Sequence, residues 1–210
     1  MELKGIKANF LGDSMTQGQG VTDQEHNIFW QRLKRECGLA EARGYGISGT
    51  RIARQHLRED PQFDQDFLSR VEAMDDDADL IVVFGGTNDF GHGDAPLGVM
   101  GDRTPYTFYG ACHRLMQNLI TKYPESQIVF MTPIHRKVEI KGERKLHDFV
   151  VAIRQVAEYY GIPVLDLYAT SGLQPEVKII TEKYCPDGLH PNDAGHEKIY
   201  KRLRGFLEAL

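Results

Sequence analysis

The sequence has no long apolar run, no excess of positive charge and little cysteine. No stretch of about 18 apolar residues occurs, so a membrane-spanning helix is not expected. The 25 Lys and Arg are outnumbered by 30 Asp and Glu, and this formal net charge of −5 argues against a nucleic-acid partner. Cys37, Cys112 and Cys185 are far apart and follow no disulfide or metal-ligand spacing. We therefore expect free thiols in a reducing compartment.

Signals for export and for division into domains are also missing. Met1 to Lys7 contains no cationic region followed by an apolar stretch, so we expect no signal peptide and a cytoplasmic location. No internal repeat or low-complexity linker divides the chain, and no pattern specifies an oligomeric state. A length of 210 residues suits one domain. We expect a single domain over residues 1–210.

Segments typical of strands and of helices alternate along the chain. Short apolar runs predict buried strands at 6–11, 80–84, 128–131 and 163–166. Apolar residues at helical spacing predict helices over about 25–37, 63–73, 105–123 (started by Thr104-Pro105), 146 to near 161, and a last helix capped by Asn192. This alternation predicts a parallel sheet with helices on both faces, in which ligands bind beyond the carboxyl ends of the strands. Ser14, Asn88 and Thr132-Pro133 follow predicted strands and should meet at that edge.

The first of four short polar blocks offers a nucleophile. Ser14 follows a strand and two turn-forming residues, where backbone N–H groups face a hydroxyl. Taken alone, the Gly-Asp-Ser sequence is more typical of a polar turn. Its interpretation therefore depends on the other blocks.

The last block offers a general base and a carboxylate to orient it. Asp187 and His190 lie three residues apart, and a bend at Gly188 can fold the carboxylate onto the imidazole. Asp187 would then accept a hydrogen bond from Nδ1–H of His190, which leaves Nε2 facing Ser14. Taken alone, the spacing favours the alternative, an Asx-turn that leads into the last helix.

The two middle blocks offer donors for an oxyanion. Asn88 follows a buried strand through two glycines, and a side-chain amide there can donate to developing negative charge. Gly49 can present an unshielded backbone N–H, and the Ser14 N–H would be a third donor. Gly46 is the rival glycine, although it suits the bend between strand and loop better. The alternative for all of them is turn chemistry.

With these four blocks in this order, the chain resembles the GDSL, or SGNH, hydrolase family. The resemblance spans residues 11–191, with Met15 where the family name has Leu and Thr87 as an insertion-like residue before Asn88. Matched position by position, it implies Ser14 as nucleophile, His190 as base, Asp187 as the partner of the base, and Ser14, Gly49 and Asn88 as oxyanion donors. Asp13, Thr87 and Asp89 are expected to support or border the site.

The resemblance implies a three-layer α/β/α sandwich with a parallel, flavodoxin-like sheet. It also implies a serine ester hydrolase that works through an acyl-enzyme and needs no cofactor. We expect a small-molecule ester substrate with a short acyl group, such as acetyl, on a polar or sugar alcohol. This expectation rests on the absence of a membrane-binding amphipathic segment and on the Gly-, Asp- and Pro-rich stretch from Phe90 to Thr104.

Other functions share parts of this pattern. A lysophospholipase or thioesterase would use the same residues, and a catalytically silent carbohydrate-binding module would share the fold. The intact set of five residues argues against the silent module. His92 with Asp94 lacks further metal ligands, and Asp75-Asp76-Asp77 with Asp79 fits a solvated turn better than a cation loop. We predict no metal site.

Overall fold

A five-stranded parallel sheet forms the centre of the computed structural model, which describes residues 1–57 and 61–210. The strands are β1 Lys7–Gly12, β2 Glu41–Gly46, β3 Leu80–Phe84, β4 Gln127–Met131, the antiparallel hairpin β5 Ile140–Lys141 and β6 Arg144–Lys145, and β7 Val164–Leu165. The order in the main sheet is β2-β1-β3-β4-β7, and all four pairings are parallel. From β1 the chain passes to β2 on one side, and then to β3, β4 and β7 on the other side. The direction of strand addition therefore reverses at β1.

Helices cover both faces of the sheet. They are α1 Ser14–Gln17, α2 Gln24–Asn27, α3 Phe29–Cys37, α4 Phe67–Arg70 continued by a 3-10 turn at Val71–Ala73, α5 Thr87–His92, α6 Phe108–Lys122, α7 Leu146–Tyr160, α8 Leu167–Thr170, α9 Lys178–Tyr184 and α10 Asp193–Glu208. None of these helices has the length and apolar character needed to cross a membrane.

Strand alternation decides which core each side chain enters. Successive side chains of a strand point to opposite faces. In β3, Ile81 and Val83 join the core that contains the buried faces of α6 and α7, whereas Val82 and Phe84 join the core beneath α3 and α10. The result is a three-layer α/β/α sandwich, which confirms the predicted fold class.

The structure corrects three predicted helix bounds. The helix expected over 25–37 is divided at Ile28, whose backbone is extended, and the next N–H, that of Phe29, donates to Nδ1 of His196 at 3.2 Å. The helix expected over 63–73 begins only at Phe67 because the Asp66 carboxylate caps it at Ser69 N. The helix expected from 105 begins at Phe108, and Thr107 is its N-cap. Local capping and a distant histidine therefore set bounds that apolar spacing does not record.

Strand β2 was not predicted because its sequence, Glu-Ala-Arg-Gly-Tyr-Gly, has no apolar alternation. It lies at the edge of the sheet, and within the described residues it pairs with β1 alone, from Lys7 opposite Glu41 to Gly12 opposite Gly46. Its side chains make tertiary contacts, such as the ion pair of Arg43 with Asp77 and the bond of Tyr45 to Asp75, that leave no periodic apolar pattern in the sequence. The consequence for the site is direct, since β2 delivers the loop that contains Gly49.

Candidate active site

Ser14 lies at the carboxyl end of β1, where the strand turns into the short helix α1. Asp13 is the N-cap of that helix, and its carboxylate accepts the Met15 N–H at 3.0 Å. Gly12 permits the tight turn, because a Cβ there would lie 1.9 Å from Oγ1 of Thr16. The nucleophile candidate is thus fixed by a strand end and a capped turn, and its side chain is nearly buried.

The loop before α10 brings His190 to Ser14. The Ser14 Oγ and His190 Nε2 atoms are 3.0 Å apart, and His190 Nδ1 is 2.7 Å from Oδ2 of Asp187. The other carboxylate oxygen of Asp187 accepts the N–H groups of Leu189 and His190, at 2.9 and 2.7 Å. The positive φ of Gly188, 77°, makes the bend between them. One carboxylate therefore orients both the imidazole and the backbone that carries it.

Asp187 is held ionised by this arrangement. Partial burial opposes the charge, but hydrogen bonds from the His190 ring and from the N–H groups of His190 and Leu189 lower the pKa of Asp187 below its usual value. An ionised carboxylate accepts at both oxygens and stabilises positive charge on the adjacent imidazole. The geometry suits a histidine that takes up a proton from Ser14.

Asn88 bonds to the residue that follows Gly49. Asn88 is the second residue of α5, at the carboxyl end of β3, and its Nδ2 donates to the carbonyl of Thr50 at 3.0 Å. An amide nitrogen carries two hydrogens, so this bond leaves one for another acceptor. Gly49 precedes Thr50 and has φ +78°, with the Phe63 ring packed where a Cβ would be. The structure thus ties the Gly49 loop to Asn88.

Gly46 has a different position from its rival. A Cβ on this residue would lie 2.3 Å from the backbone nitrogen of Gln17. The absence of a side chain therefore lets α1 pack against the end of β2. This close approach explains the glycine without any oxyanion role, while the role of Gly49 stays a prediction.

Two buried carboxyl groups lie behind these loops. Asp89 accepts the N–H groups of Ile52 and Ala53, at 2.9 and 2.8 Å, and so fixes the segment that follows Gly49. Burial raises the pKa of Asp89 to about 6 and that of Asp13 to about 7. The negative charge of Asp89 adds to the increase in the pKa of Asp13. That these residues support or border the site stays a prediction.

Basic residues from the segment after β4 hold α5 in place. Arg136 donates to the carbonyl and hydroxyl oxygens of Thr87, at 3.1 and 3.2 Å. Lys141 bonds to the carbonyl of Gly91, and Arg144 bonds to those of Asp89 and Gly93. Cations at the carboxyl end of a helix are stabilising. Nothing local in the sequence links a hairpin at 140–145 to a helix at 87–92, so these contacts could not be predicted.

A cavity of about 630 Å³ adjoins the Gly49 loop. Apolar surface makes up the larger part of its lining, although only two of the seven lining side chains are apolar: Arg51, Gln55, Leu57, Phe63, Asp64, His92 and Asp94. Arg51 and Asp64 form a largely buried ion pair at 3.1 Å, and an Arg51 nitrogen lies 3.3 Å from Nδ1 of His92. A guanidinium only donates, so Nδ1 of His92 accepts and its Nε2 carries the proton.

Positive charge around His92 disfavours a metal ion at this residue. Burial lowers the pKa of His92, and the charges of Arg51, Lys141 and Arg136 lower it further. The same charges repel a metal ion. Among the residues that the structure describes, no three His, Cys, Asp or Glu side chains form a group that could hold one.

Asp13→Asn is expected to weaken the pH dependence of stability. Folding raises the Asp13 pKa from 3.8 to about 7, so its contribution to stability is full below about pH 4 and is lost as pH rises towards 7. Each tenfold change in proton affinity is worth about 1.4 kcal/mol, so this loss is on the order of a few kcal/mol. Asparagine keeps an oxygen for the Met15 N–H and does not titrate.

Urea unfolding at pH 5 and pH 8 measures the effect. The wild type should lose more stability between the two pH values than the variant. A smaller loss should remain in the variant because Asp89, whose pKa is also raised, still titrates. Asp23→Asn is the matched control, because Asp23 is also an N-cap but is exposed and has a lowered pKa. Identical pH dependence in wild type and Asp13→Asn contradicts the assignment.

Comparisons with known proteins identify relatives of the whole chain. The sequence model of the GDSL-like lipase/acylhydrolase family matches residues 10–198. One solved structure is 33% identical, with a TM-score of 0.89, and covers 100% of this chain and 99% of its own. Another, from Lactobacillus plantarum, is 32% identical, has a TM-score of 0.84 and covers 98% of both chains. No curated protein matches the sequence.

A more distant likeness involves an enzyme of stated substrate. The structure of a mutant acetyl-xylooligosaccharide esterase from Geobacillus is 19% identical, with a TM-score of 0.66. It covers 99% of this chain and 96% of its own. At this identity the likeness shows the shared fold.

Proposed function

The chain belongs to the GDSL-like lipase/acylhydrolase family, and on this premise we propose that it is a serine ester hydrolase with Ser14 as nucleophile. The observation that carries the proposal is the continuous line of contacts from Ser14 Oγ to His190 Nε2, 3.0 Å, and from His190 Nδ1 to Asp187, 2.7 Å. A hydroxyl, an imidazole and a carboxylate in this sequence form an activated nucleophile. Its most direct test is the substitution Ser14→Ala.

The reaction begins with proton transfer. His190 takes the Ser14 proton through Nε2 while Oγ attacks the ester carbonyl carbon, and Asp187 stabilises the resulting imidazolium. The carbonyl oxygen becomes an oxyanion that accepts from the N–H groups of Ser14 and Gly49 and from the free amide hydrogen of Asn88. His190 then returns the proton to the alcohol oxygen as the C–O bond breaks, which leaves Ser14 acylated.

Water completes the cycle by the same route. His190 removes a proton from water, the hydroxide attacks the acyl carbon, and the second oxyanion uses the same donors. Collapse of this intermediate breaks the bond to Oγ, and Ser14 recovers its proton from His190. The acid is released, and no cofactor enters any step.

We propose a short acyl group on a polar alcohol as the substrate class. The cavity beside Gly49 supports this choice, because it offers guanidinium, imidazole and carboxylate groups together with the ring of Phe63. Hydrogen-bond donors and acceptors beside an aromatic ring suit a hydroxyl-rich alcohol. The acetyl-xylooligosaccharide esterase of the same fold acts on such an ester, which adds weight to the choice.

Acyl preference tests the short-chain proposal. We expect kcat/KM to be higher for p-nitrophenyl acetate than for the octanoate. A fitting apolar channel would instead favour the longer ester by ~0.8 kcal/mol for each methylene. A steady rise in kcat/KM through octanoate would favour the lysophospholipase or thioesterase alternative, which uses the same catalytic residues. If acetate is preferred, acetylated xylosides and mannosides are the next substrates to compare.

A further inference from the structure

Arg70 is a buried cation beneath the candidate active site, and none of the steps above uses it. It is 9% exposed and ends the short helix α4. Its Nη1 donates to the carbonyl of Tyr45 at 2.6 Å, and its Nη2 donates to Oγ1 of Thr50 at 3.0 Å. Both nitrogens also donate to the carbonyl of Gly12, at 3.2 and 3.1 Å. One guanidinium therefore joins three backbone segments.

These segments are the ones that carry the two backbone oxyanion donors. Gly12 ends β1 and lies two residues before Ser14. Tyr45 lies near the end of β2, and Thr50 directly follows Gly49. The Ser14 N–H and Gly49 N–H belong to different loops, so their separation depends on what connects the loops. Arg70 supplies that connection through a planar group whose donors have fixed directions.

Arg70 forms no salt bridge with a carboxylate among the described residues. All its hydrogen bonds within the described residues go to uncharged oxygens. Burial lowers the Arg70 pKa to about 10, against the attraction of Asp13 and Asp66, so the group is cationic at neutral pH. A buried charge without a directly bonded counter-ion is costly and is a feature of functional sites.

We propose that Arg70 is a positioning residue that holds the Ser14 and Gly49 N–H groups at the spacing an oxyanion requires. The positive charge of Arg70 also stabilises negative charge on the oxyanion, because the protein interior screens this attraction less than water does. The proposal rests on the proposed function. The proposed role differs from a purely structural one because it stabilises the transition state more than the bound ester.

Arg70→Met and Arg70→Lys test the proposal in the full-length protein with p-nitrophenyl acetate. We expect Arg70→Met to lower kcat by roughly 10- to 100-fold while KM changes less than about threefold. Arg70→Lys should recover part of the loss, because an ammonium restores the charge but not the fork of bonds. Thr50→Val removes the hydroxyl bonds to Arg70 and to the Ile47 carbonyl and should have a smaller effect than Arg70→Met.

A second readout separates positioning from general damage. A boronic acid forms a tetrahedral, anionic adduct with an active serine, so its inhibition constant reports the oxyanion geometry. In each variant whose urea unfolding remains cooperative, we expect the inhibition constant to rise by the same factor by which kcat/KM falls. If Arg70→Met does not fold, the same comparison is made with Arg70→Lys.

Two results overturn the proposal. One is wild-type kcat in a folded Arg70 variant. The other is a fall in kcat without a matching loss of boronic acid affinity. Either result leaves the proposed function intact if Ser14→Ala is inactive, whereas an active Ser14→Ala protein overturns the proposed function itself.

Discussion

Ser14→Ala is expected to abolish ester hydrolysis while the protein stays folded. The substitution removes the oxygen that attacks the carbonyl, and alanine fits a helical turn whose cap, Asp13, is untouched. Loss of the nucleophile from a serine hydrolase site lowers kcat by roughly 10⁴-fold or more, with a residual rate from the oxyanion donors and substrate binding. The measurement is the rate of p-nitrophenol release from the acetate, with urea unfolding as the check on the fold.

Two companion variants sharpen this result. Ser48→Ala removes the serine that directly precedes Gly49 and should keep kcat within a few-fold of the wild type. His190→Ala should resemble Ser14→Ala, because without the imidazole the 3.0 Å contact that activates Oγ is lost. A folded Ser14→Ala protein with near wild-type activity would end the assignment of Ser14 as nucleophile.

Asn88→Ala is expected to lower kcat by roughly 100-fold or more, with a smaller change in KM. One amide hydrogen of Asn88 is committed to Thr50, and the proposed role of the other is to bond the oxyanion more strongly than the ground-state carbonyl. The expected loss therefore appears in the chemical step. Steady-state kinetics with p-nitrophenyl acetate separates kcat from KM.

The bond from Asn88 to Thr50 calls for a control, since its loss also loosens the Gly49 loop. Thr50→Val keeps the Thr50 carbonyl and the Asn88 bond but removes a hydroxyl contact of the same loop. A much smaller effect in Thr50→Val would assign the Asn88 loss to the amide. A rise in KM with kcat unchanged would instead limit Asn88 to substrate binding.

Much of the sheet could be predicted because its strands are buried on both faces. Leu80–Phe84 is a continuous apolar run between polar residues and glycines, and its observed bounds are those predicted. Helices α7 and α10 were also recognisable, α7 ending where Gly161 adopts a left-handed conformation and α10 starting at the Asn192 cap. These features depend on local burial and local hydrogen bonds.

Elements without an apolar period escaped prediction. Strand β2 is held by backbone pairing to β1, and the break at Ile28 accompanies a hydrogen bond from Phe29 to His196, 167 residues further along the chain. The hairpin at 140–145 contributes cations to α5, a helix about 50 residues earlier. Contacts of this kind have no local pattern.

The sequence by itself determined the alternating architecture and the identity of the reactive groups. Strand burial, helical periodicity and capping are local, and a serine, a histidine, an aspartate and an asparagine have their chemistry wherever they lie. Only the tertiary structure decided the 3.0 Å approach of Ser14 to His190 and the bonding of Arg70 to Gly12, Tyr45 and Thr50. Those distances depend on how parallel strands align their carboxyl ends, which is a property of the whole sheet rather than of any one segment.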